Sequence, residues 1–216
     1  MSEKPLRVAI IIPAFNEENT IKQVVGSISS YGTVIVVNDA SSDNTCREAK
    51  KMGAIVVTHS ENKGYDEALN SGFRKASELN KEAVITFDAD GQHSHELLPI
   101  FLKHLNQGQE LVLGKRPRKQ RISESLFGLY TKLRFGWSDP LCGMKGYNMN
   151  LFYRRGYFDS IDSIGTELAF FGLSHHFKFI EVSIPEIKRA DSPRFHSSLK
   201  ANYKIILSLL NLARKY

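Results

Sequence analysis

The chain has 216 residues, 42% of them hydrophobic and 24% charged, with a formal net charge of +6. This composition suits one well-buried domain and excludes a disordered or low-complexity chain, and no stretch reaches the roughly 18 apolar residues of a membrane-spanning helix. The positive balance favours an anionic partner: nucleic acid, a nucleotide, a phosphorylated substrate or an anionic lipid surface. Cys46 and Cys142 are far apart and lack CxxC spacing, so neither a zinc centre nor a disulfide framework is expected. A reducing, cytoplasmic setting fits. The opening MSEKPLRVAIIIP is too briefly apolar for a signal peptide.

The first apolar run, Arg7 to Ile12, is β-branched and closed by Pro13, which predicts a buried strand of the parallel-sheet kind. Asn19 and Thr20 offer a cap for a helix through about Ser29. The pattern then repeats, with a strand over Thr33–Val37 and a helix from near Asp43 or Asn44, then a strand over Ala54–Thr58 and a helix over Tyr65–Leu79. A fourth strand is expected over Ala83–Phe87 and a helix over Glu96–Asn106. Alternation of this kind implies parallel pairing through right-handed crossovers, hence an α/β fold with a Rossmann-like, mostly parallel sheet and helices on both faces. After Gly114 the alternation fades into the basic segment GKRPRKQR, a helix over Ser123–Arg134 and the stretch SDPLCGMKGY. A helix near Thr166–His175 and a strand near Phe179–Ile184 precede the loop PEIKRADSPRFHSS, so the last third is expected to build onto the sheet.

Ligands of open α/β sheets bind outside the carboxyl ends of the strands. Three polar clusters fall there: PAFNEE, NDASSDNT and DADGQH. Asp88 and Asp90 stand two apart on extended chain and, with Gln92, offer only hard oxygen donors, which suits Mg²⁺ or Mn²⁺. The rival reading is a solvated turn that caps the next helix. Asp39 is placed either to accept hydrogen bonds from a base or ribose or to form an Asx turn, while Asp43 is the better helix cap. Glu17 is either a nucleoside ligand or a favourable carboxylate at a helix start.

PAFNEENTI, VVNDASSDNT, NKGYDEALNSGF and FDADGQH, in this order and with these gaps, resemble the nucleotide-sugar half of glycosyltransferase family 2, whose fold is called GT-A. The likeness runs from about Leu6 to Arg116, and its DAD-x-QH form is most similar to the dolichol-phosphate or polyprenyl-phosphate sugar transferases. It implies a single domain, with residues to about 116 binding a nucleotide-sugar donor and residues from about 117 binding the acceptor. Pro13, Ala14, Phe15, Asn16 and Glu17 match the base-and-ribose loop, and Asp39 matches the acid that holds the nucleoside. Lys63 and Gly64 match part of the N-x-G stretch, where Tyr65 and Asp66 depart from the family's commoner residues. Asp88, Ala89, Asp90 and Gln92 match the metal and diphosphate site. Arg116 closes the donor set. In the second half the match is looser: Asp139 corresponds to the acceptor-side acid, Gly143 to a glycine, Glu167 to a helix start, and Arg189, Ser192 and Arg194 lie near the diphosphate.

These parts imply one displacement at the anomeric carbon, with inversion, in which a metal on Asp90 and the side chain of Arg194 or Arg189 meet the charge that develops on the leaving diphosphate. For a hydroxyl of a glycan acceptor, Asp139 is a general base; for a polyprenyl phosphate, already anionic, it only positions. Its rival reading is a turn cap before Pro140. Trp137 either stacks on a sugar or anchors the core. The final stretch carries Ile205, Ile206, Leu209, Leu210 and Leu212 flanked by Lys200, Lys204, Arg214 and Lys215, and reads as an amphipathic helix packed on the domain or lying at the cytoplasmic face of a membrane. Other readings are a sugar nucleotidyltransferase, weakened because PAFNEENTI lacks a glycine-rich phosphate loop, and a catalytically inactive nucleotide-sugar sensor. A nucleic-acid partner is not expected, since GKRPRKQR carries no aromatic residues.

Overall fold

The computed structural model describes residues 5–91, 94–119, 121–185 and 198–216. Its strands are β1 (Val8–Ala14), β2 (Thr33–Asn38), β3 (Ile55–Thr58), β4 (Ala83–Thr86), β5 (Leu111–Lys115), β6 (Lys145–Asn148) and β7 (Phe179–Ser183). They form one sheet in the order β3-β2-β1-β4-β6-β5-β7. β6 alone runs antiparallel to its neighbours β4 and β5, and the remaining pairings are parallel.

β1 continues through Pro13 to Ala14, further than its sequence suggests. The Ile11 carbonyl accepts from Phe87 N on the β4 side, and the Ala14 carbonyl accepts from Asp39 N on the β2 side. By alternation Pro13 faces the β4 side just beyond the last paired residue, so its missing N–H breaks no ladder bond. The largest departure from the sequence reading lies in the last third. It does not merely build onto the sheet: β6 is inserted between β4 and β5 and leads into a helix, and neither β5, β6 nor that helix is anticipated from the sequence. KGYN is short and glycine-containing, with its lysine buried, so it has neither alternation nor strong strand propensity.

The helices are α1 (Ile21–Ile28), α2 (Thr45–Lys51), α3 (Tyr65–Glu78), α4 (Leu98–Asn106), α5 (Ile122–Phe135), α6 (Met149–Arg155), α7 (Glu167–Ser174) and α8 (Ser198–Lys215). A 3₁₀ turn, His95–Leu97, precedes α4. The strand period of two sorts the core into two layers. Ile10, Ile12, Val34, Val36 and Ile85 pack with Ile21, Val25, Leu98 and Phe101 on one face. Ile11, Val37 and Val84 pack with Phe73, Phe127, Trp137, Tyr147, Phe158 and Phe170 on the other. Trp137 is fully buried, which settles its two readings in favour of a core anchor.

α8 lies along α5. Ser123 Oγ donates to Asn202 Oδ1 at one end, and Arg134 donates to the Tyr216 carbonyl at the other. Both contacts ascend in sequence, so the two helices run parallel. Among the described residues no helix is long and apolar enough to cross a membrane.

Candidate active site

Parallel strands β1, β2, β4 and β5 all deliver their carboxyl ends to one edge, and β6, being antiparallel, enters the sheet from that same edge. Residues 13–17, 39, 88–90, 115–116 and 139–145 are therefore gathered together.

On the β1–β2 side the loops are stitched to each other. Asn16 takes a left-handed backbone (φ 54°), which aims its Oδ1 at Ser42 N (2.9 Å) while its own N–H reaches Ser41 Oγ (3.0 Å). Glu17 N donates to Thr45 Oγ1 at 2.7 Å, and Glu17 Oε2 accepts from Thr20 Oγ1 at 3.0 Å. Asp43 Oδ1 accepts from Thr45 N at 2.9 Å, but the cap of α2 is Asn44, so Asp43 closes a turn just ahead of the helix instead of capping it as expected. Phe15 stands exposed beside this frame.

Asp39 is buried and closes a second loop. Its Oδ1 accepts from Lys63 N and its Oδ2 from Gly64 N, each at 2.8 Å, while His59 Nδ1 lies 2.8 Å from Oδ1. Gly64 has φ 86°, a conformation that an L side chain strains to adopt, so Gly at this position lets the N–H turn inward onto the carboxylate. The other ring nitrogen of His59 sits 2.9 Å from Ser71 Oγ on α3. Asp39 thus fixes the entry to α3 and with it Tyr65.

Tyr65 Oη donates to Asp88 Oδ1 at 3.2 Å. Desolvation, then the charge of Asp88, pushes the phenol pKa up and keeps it a donor. On the far side of Asp88 lies Gly143: a Cβ there would fall 2.1 Å from Asp88 Oδ2, so the carboxylate occupies space that only glycine leaves open. Asp88 and Asp90 are both half-buried, and Ala89 between them is buried. Among the described residues no cluster of three or more Cys, His, Asp or Glu forms a protein cage for a metal. Two carboxylates of hard oxygen are nonetheless the donor set that Mg²⁺ or Mn²⁺ takes when water and substrate phosphates complete the shell. The residues present fit such an ion.

On the β5–β6 side, Asp139 is buried and both its oxygens are engaged by Arg116. The guanidinium donates from Nε to Oδ2 and from Nη2 to Oδ1, each at 2.8 Å, and the Arg116 N–H donates to Oδ2 at 2.9 Å. Arg116 Nη2 also reaches Glu124 Oε2 at 3.1 Å, and Glu124 Oε1 accepts from Arg121 at 3.0 Å. Burial alone would lower the arginine pKa, but the hydrogen bonds and charge of Asp139 outweigh it and raise it. Beside this cluster a cavity of about 140 Å³ is lined by Arg116, Arg121, Glu124, Leu141, Ile164, Ala201 and Ile205. It joins two arginines, and the acid that pairs with both, to an apolar wall.

Beneath the edge lie buried charges. Lys145 donates from Nζ to the Gly165 carbonyl at 3.0 Å; burial lowers its pKa to about 8 against the raising influence of Cys142, Asp139 and Asp88. Burial pushes the Cys142 thiol up to about 12, which leaves it protonated and no nucleophile at neutral pH. Asp66 accepts from Ile164 N (3.1 Å) and Gly165 N (2.5 Å) and is pushed up to about 7 by desolvation and then by Asp159.

The structure therefore brings Pro13–Glu17, Asp39, Lys63, Gly64, Asp88, Ala89, Asp90, Arg116 and Asp139 to one edge. Gln92, Arg189 and Arg194 lie outside the described residues. Sequence reasoning passes over Tyr65, His59 and Glu124. Tyr65 and Asp66 do stand out as departures from the family pattern, and that irregularity is the one signal they carry.

An open, mostly parallel sheet with paired carboxylates and stitched loops at its strand ends is an architecture that binds its ligand at that edge. The family model described as Glycosyl transferase family 2 matches residues 9–168. The chain belongs to glycosyl transferase family 2 and is a glycosyltransferase. A UDP-N-acetylglucosamine–dolichyl-phosphate N-acetylglucosaminyltransferase of Methanococcus voltae is 34% identical over 129 residues, 50% of this chain and 51% of that protein. The match thus spans about half the length of that relative. A dolichyl-phosphate hexose transferase of Haloferax volcanii is 28% identical over 196 residues, 85% of this chain and 84% of that protein. These names agree with the likeness to lipid-phosphate sugar transferases carried by DAD-x-QH. Among solved structures, glucosyl-3-phosphoglycerate synthase of Mycobacterium tuberculosis, in complex with Mn²⁺, UDP and glucosyl-3-phosphoglycerate, superposes with a TM-score of 0.74 at 22% identity. It covers 96% of this chain and 80% of that one, and it shows the shared GT-A fold.

Proposed function

We propose that the protein transfers a sugar from a UDP- or GDP-sugar to a polyprenyl phosphate, with inversion and with dependence on Mg²⁺ or Mn²⁺. The observation that carries the acceptor is the Asp139–Arg116 clamp: a carboxylate with both oxygens held by a guanidinium is poorly disposed to take a proton from a hydroxyl. A phosphate oxygen is already anionic and needs no base. The cavity beside the clamp sets Arg116 and Arg121 next to an apolar wall suited to the first carbons of a lipid chain, and a phosphate there would take over the arginine N–H groups that Glu124 holds. Asp139 is then a positioning residue that aims Arg116. A glycan hydroxyl as acceptor would require Asp139 to be released.

On the donor side, residues 13–17, Asp39, Lys63 and Gly64 are assigned to the nucleoside. Asp88 and Asp90 hold the ion together with Gln92, and Tyr65 and Gly143 set the angle of Asp88. A divalent cation bound there supplies Lewis-acid neutralisation of the leaving diphosphate. Arg189 and Arg194 are assigned to the same diphosphate. In this reading residues to about 116, Arg116 itself excepted, serve the donor and those from about 117 the acceptor, and the enzyme works at the cytoplasmic face of a membrane.

The test is calorimetric titration with UDP, GDP, CMP and ADP, with and without Mn²⁺. One diphosphate is expected to bind, more tightly with metal, and Asp90→Ala is expected to abolish the enhancement at unchanged melting temperature. Failure of every nucleotide to bind overturns the donor reading. For the acceptor, radiolabelled sugar should pass to polyprenyl phosphate and not to polyprenol; transfer to the alcohol or to a glycan overturns that choice.

A further inference from the structure

Twelve large hydrophobic side chains are exposed among the described residues, and eight of them stand on the paired helices α5 and α8. That is a patch, not scatter. On α5 the exposed residues are Ile122, Leu126, Leu129 and Leu133, spaced as one stripe of a 3.6-residue helix; Ile122 and Leu133 are each 80% exposed. On α8 they are Leu199, Tyr203, Leu207 and Leu210, with the same periodicity.

The stripes open on one face. The buried residues of α5, Glu124, Phe127, Gly128 and Thr131, lie on the opposite side of the helix from its stripe. Ala201, Ile205, Ser208 and Leu212 do so on α8. The helices are parallel and touch through Ser123–Asn202 and Arg134–Tyr216, positions that lie between stripe and core on each helix. With the cores on one side of the contact line, both stripes fall on the other.

Charge is distributed just as unevenly. α8 contains no acidic residue, and the one acid of α5, Glu124, is buried against Arg116 and Arg121. Lys132 lies on the flank of α5 away from α8, and Lys200 and Lys204 lie on the flank of α8 away from α5; all three are exposed. An apolar band bordered by lysines, with acids withheld, is complementary to a surface that is apolar within and anionic at its rim.

We propose that the outer face of α5 and α8 docks on an anionic lipid bilayer, lying in the interface rather than crossing it. The inference rests on the membrane placement proposed above and deepens it by naming the face that meets the lipid, and its test holds or fails without any substrate. It also gives the cavity between Arg121, Ala201 and Ile205 a position at the base of the docked pair, where a phosphate carried by a membrane lipid would arrive.

The experiment is flotation of the full chain with vesicles of phosphatidylcholine alone and of phosphatidylcholine mixed with phosphatidylglycerol, in the absence of nucleotide. The chain is expected to float with the anionic vesicles, less with the neutral ones, and less at high salt. Leu129→Gln/Leu133→Gln and, separately, Leu199→Gln/Tyr203→Gln should each lower binding by about tenfold, because each removes two apolar anchors. Circular dichroism and melting temperature should be unchanged, as all four side chains face outward. Absence of flotation with either vesicle overturns the proposal, as does flotation that the two double variants leave intact. A chain that light scattering shows to be dimeric, and that these variants render monomeric, would make a second copy the occupant and overturn it as well. Nucleotide titration of the same variants separates a lost surface from a lost active site.

Discussion

Asp39 and Asp139 are both buried carboxylates at the same sheet edge, yet they are held by opposite kinds of partner. Asp39 is satisfied by the backbone N–H groups of Lys63 and Gly64 and by His59, so it shapes a loop through dipoles. Asp139 is satisfied by a guanidinium, so it holds a full positive charge in place. The β1–β2 side of the edge is therefore built by folding backbone around an acid, and the β5–β6 side by anchoring a cation. In the proposed reaction, a leaving diphosphate and an incoming phosphate ask for those two environments.

The sharpest way to break the comparison is to delete each acid. Asp139→Ala removes the acceptor of three Arg116 hydrogen bonds and leaves the half-buried guanidinium with Glu124 alone, at an expected cost of about 3 kcal/mol, a fall in melting temperature of roughly 6 to 12 °C. Asp39→Ala leaves two neutral N–H groups on a loop that water can reach and one ring nitrogen of the buried His59, with an expected loss of about 1 to 2 kcal/mol. Thermal denaturation of both variants checks the ordering. Equal losses, or a larger loss for Asp39→Ala, would mean that the two carboxylates are not held by different physics.

Gly143→Ala sharpens the donor side alone. The new methyl displaces the Asp88 carboxylate from its place beside Tyr65, while the glycine φ lies outside the left-handed region and alanine suits it. Stability should change little and metal-dependent nucleotide affinity should fall by about tenfold, roughly 1.4 kcal/mol. Unaltered affinity in titration would show that the angle of Asp88 is immaterial.

The same contrast governs what the sequence discloses. The β-branched runs of β1 to β4, and the polar clusters that end three of them, are local signals, and both the parallel half of the sheet and its carboxylates are legible from them. β6 has no such signal, because KGYN earns its place by fitting under α4 and between two strands, not by propensity. The Arg116–Asp139 clamp spans 23 positions, and the approach of Gly143 to Asp88 joins segments that only the antiparallel insertion brings together. The amphipathic character of α8 is visible in its sequence. That its stripe continues onto α5 is not.

The effect most diagnostic of burial belongs to Asp66, and it grows toward neutral pH. Its carboxyl is pushed from an ordinary 3.8 up to about 7, first by desolvation and then by the Asp159 charge, against the pull of the Ile164 and Gly165 N–H groups. Asp159 is raised as well, so the titration belongs to the pair. Below about pH 4 the group is protonated folded or unfolded. Between that and about pH 7 the unfolded chain releases a proton that the folded chain keeps, so raising the pH favours unfolding, and the loss is complete once the folded carboxyl ionises. Asp66→Asn cannot ionise. Its stability relative to the native chain should therefore improve steadily from pH 4 to pH 7 and then level off. Melting curves at half-unit pH steps test this. A difference that stays constant with pH would show that Asp66 is charged in the fold at every pH, held by the two N–H groups strongly enough to cancel its burial.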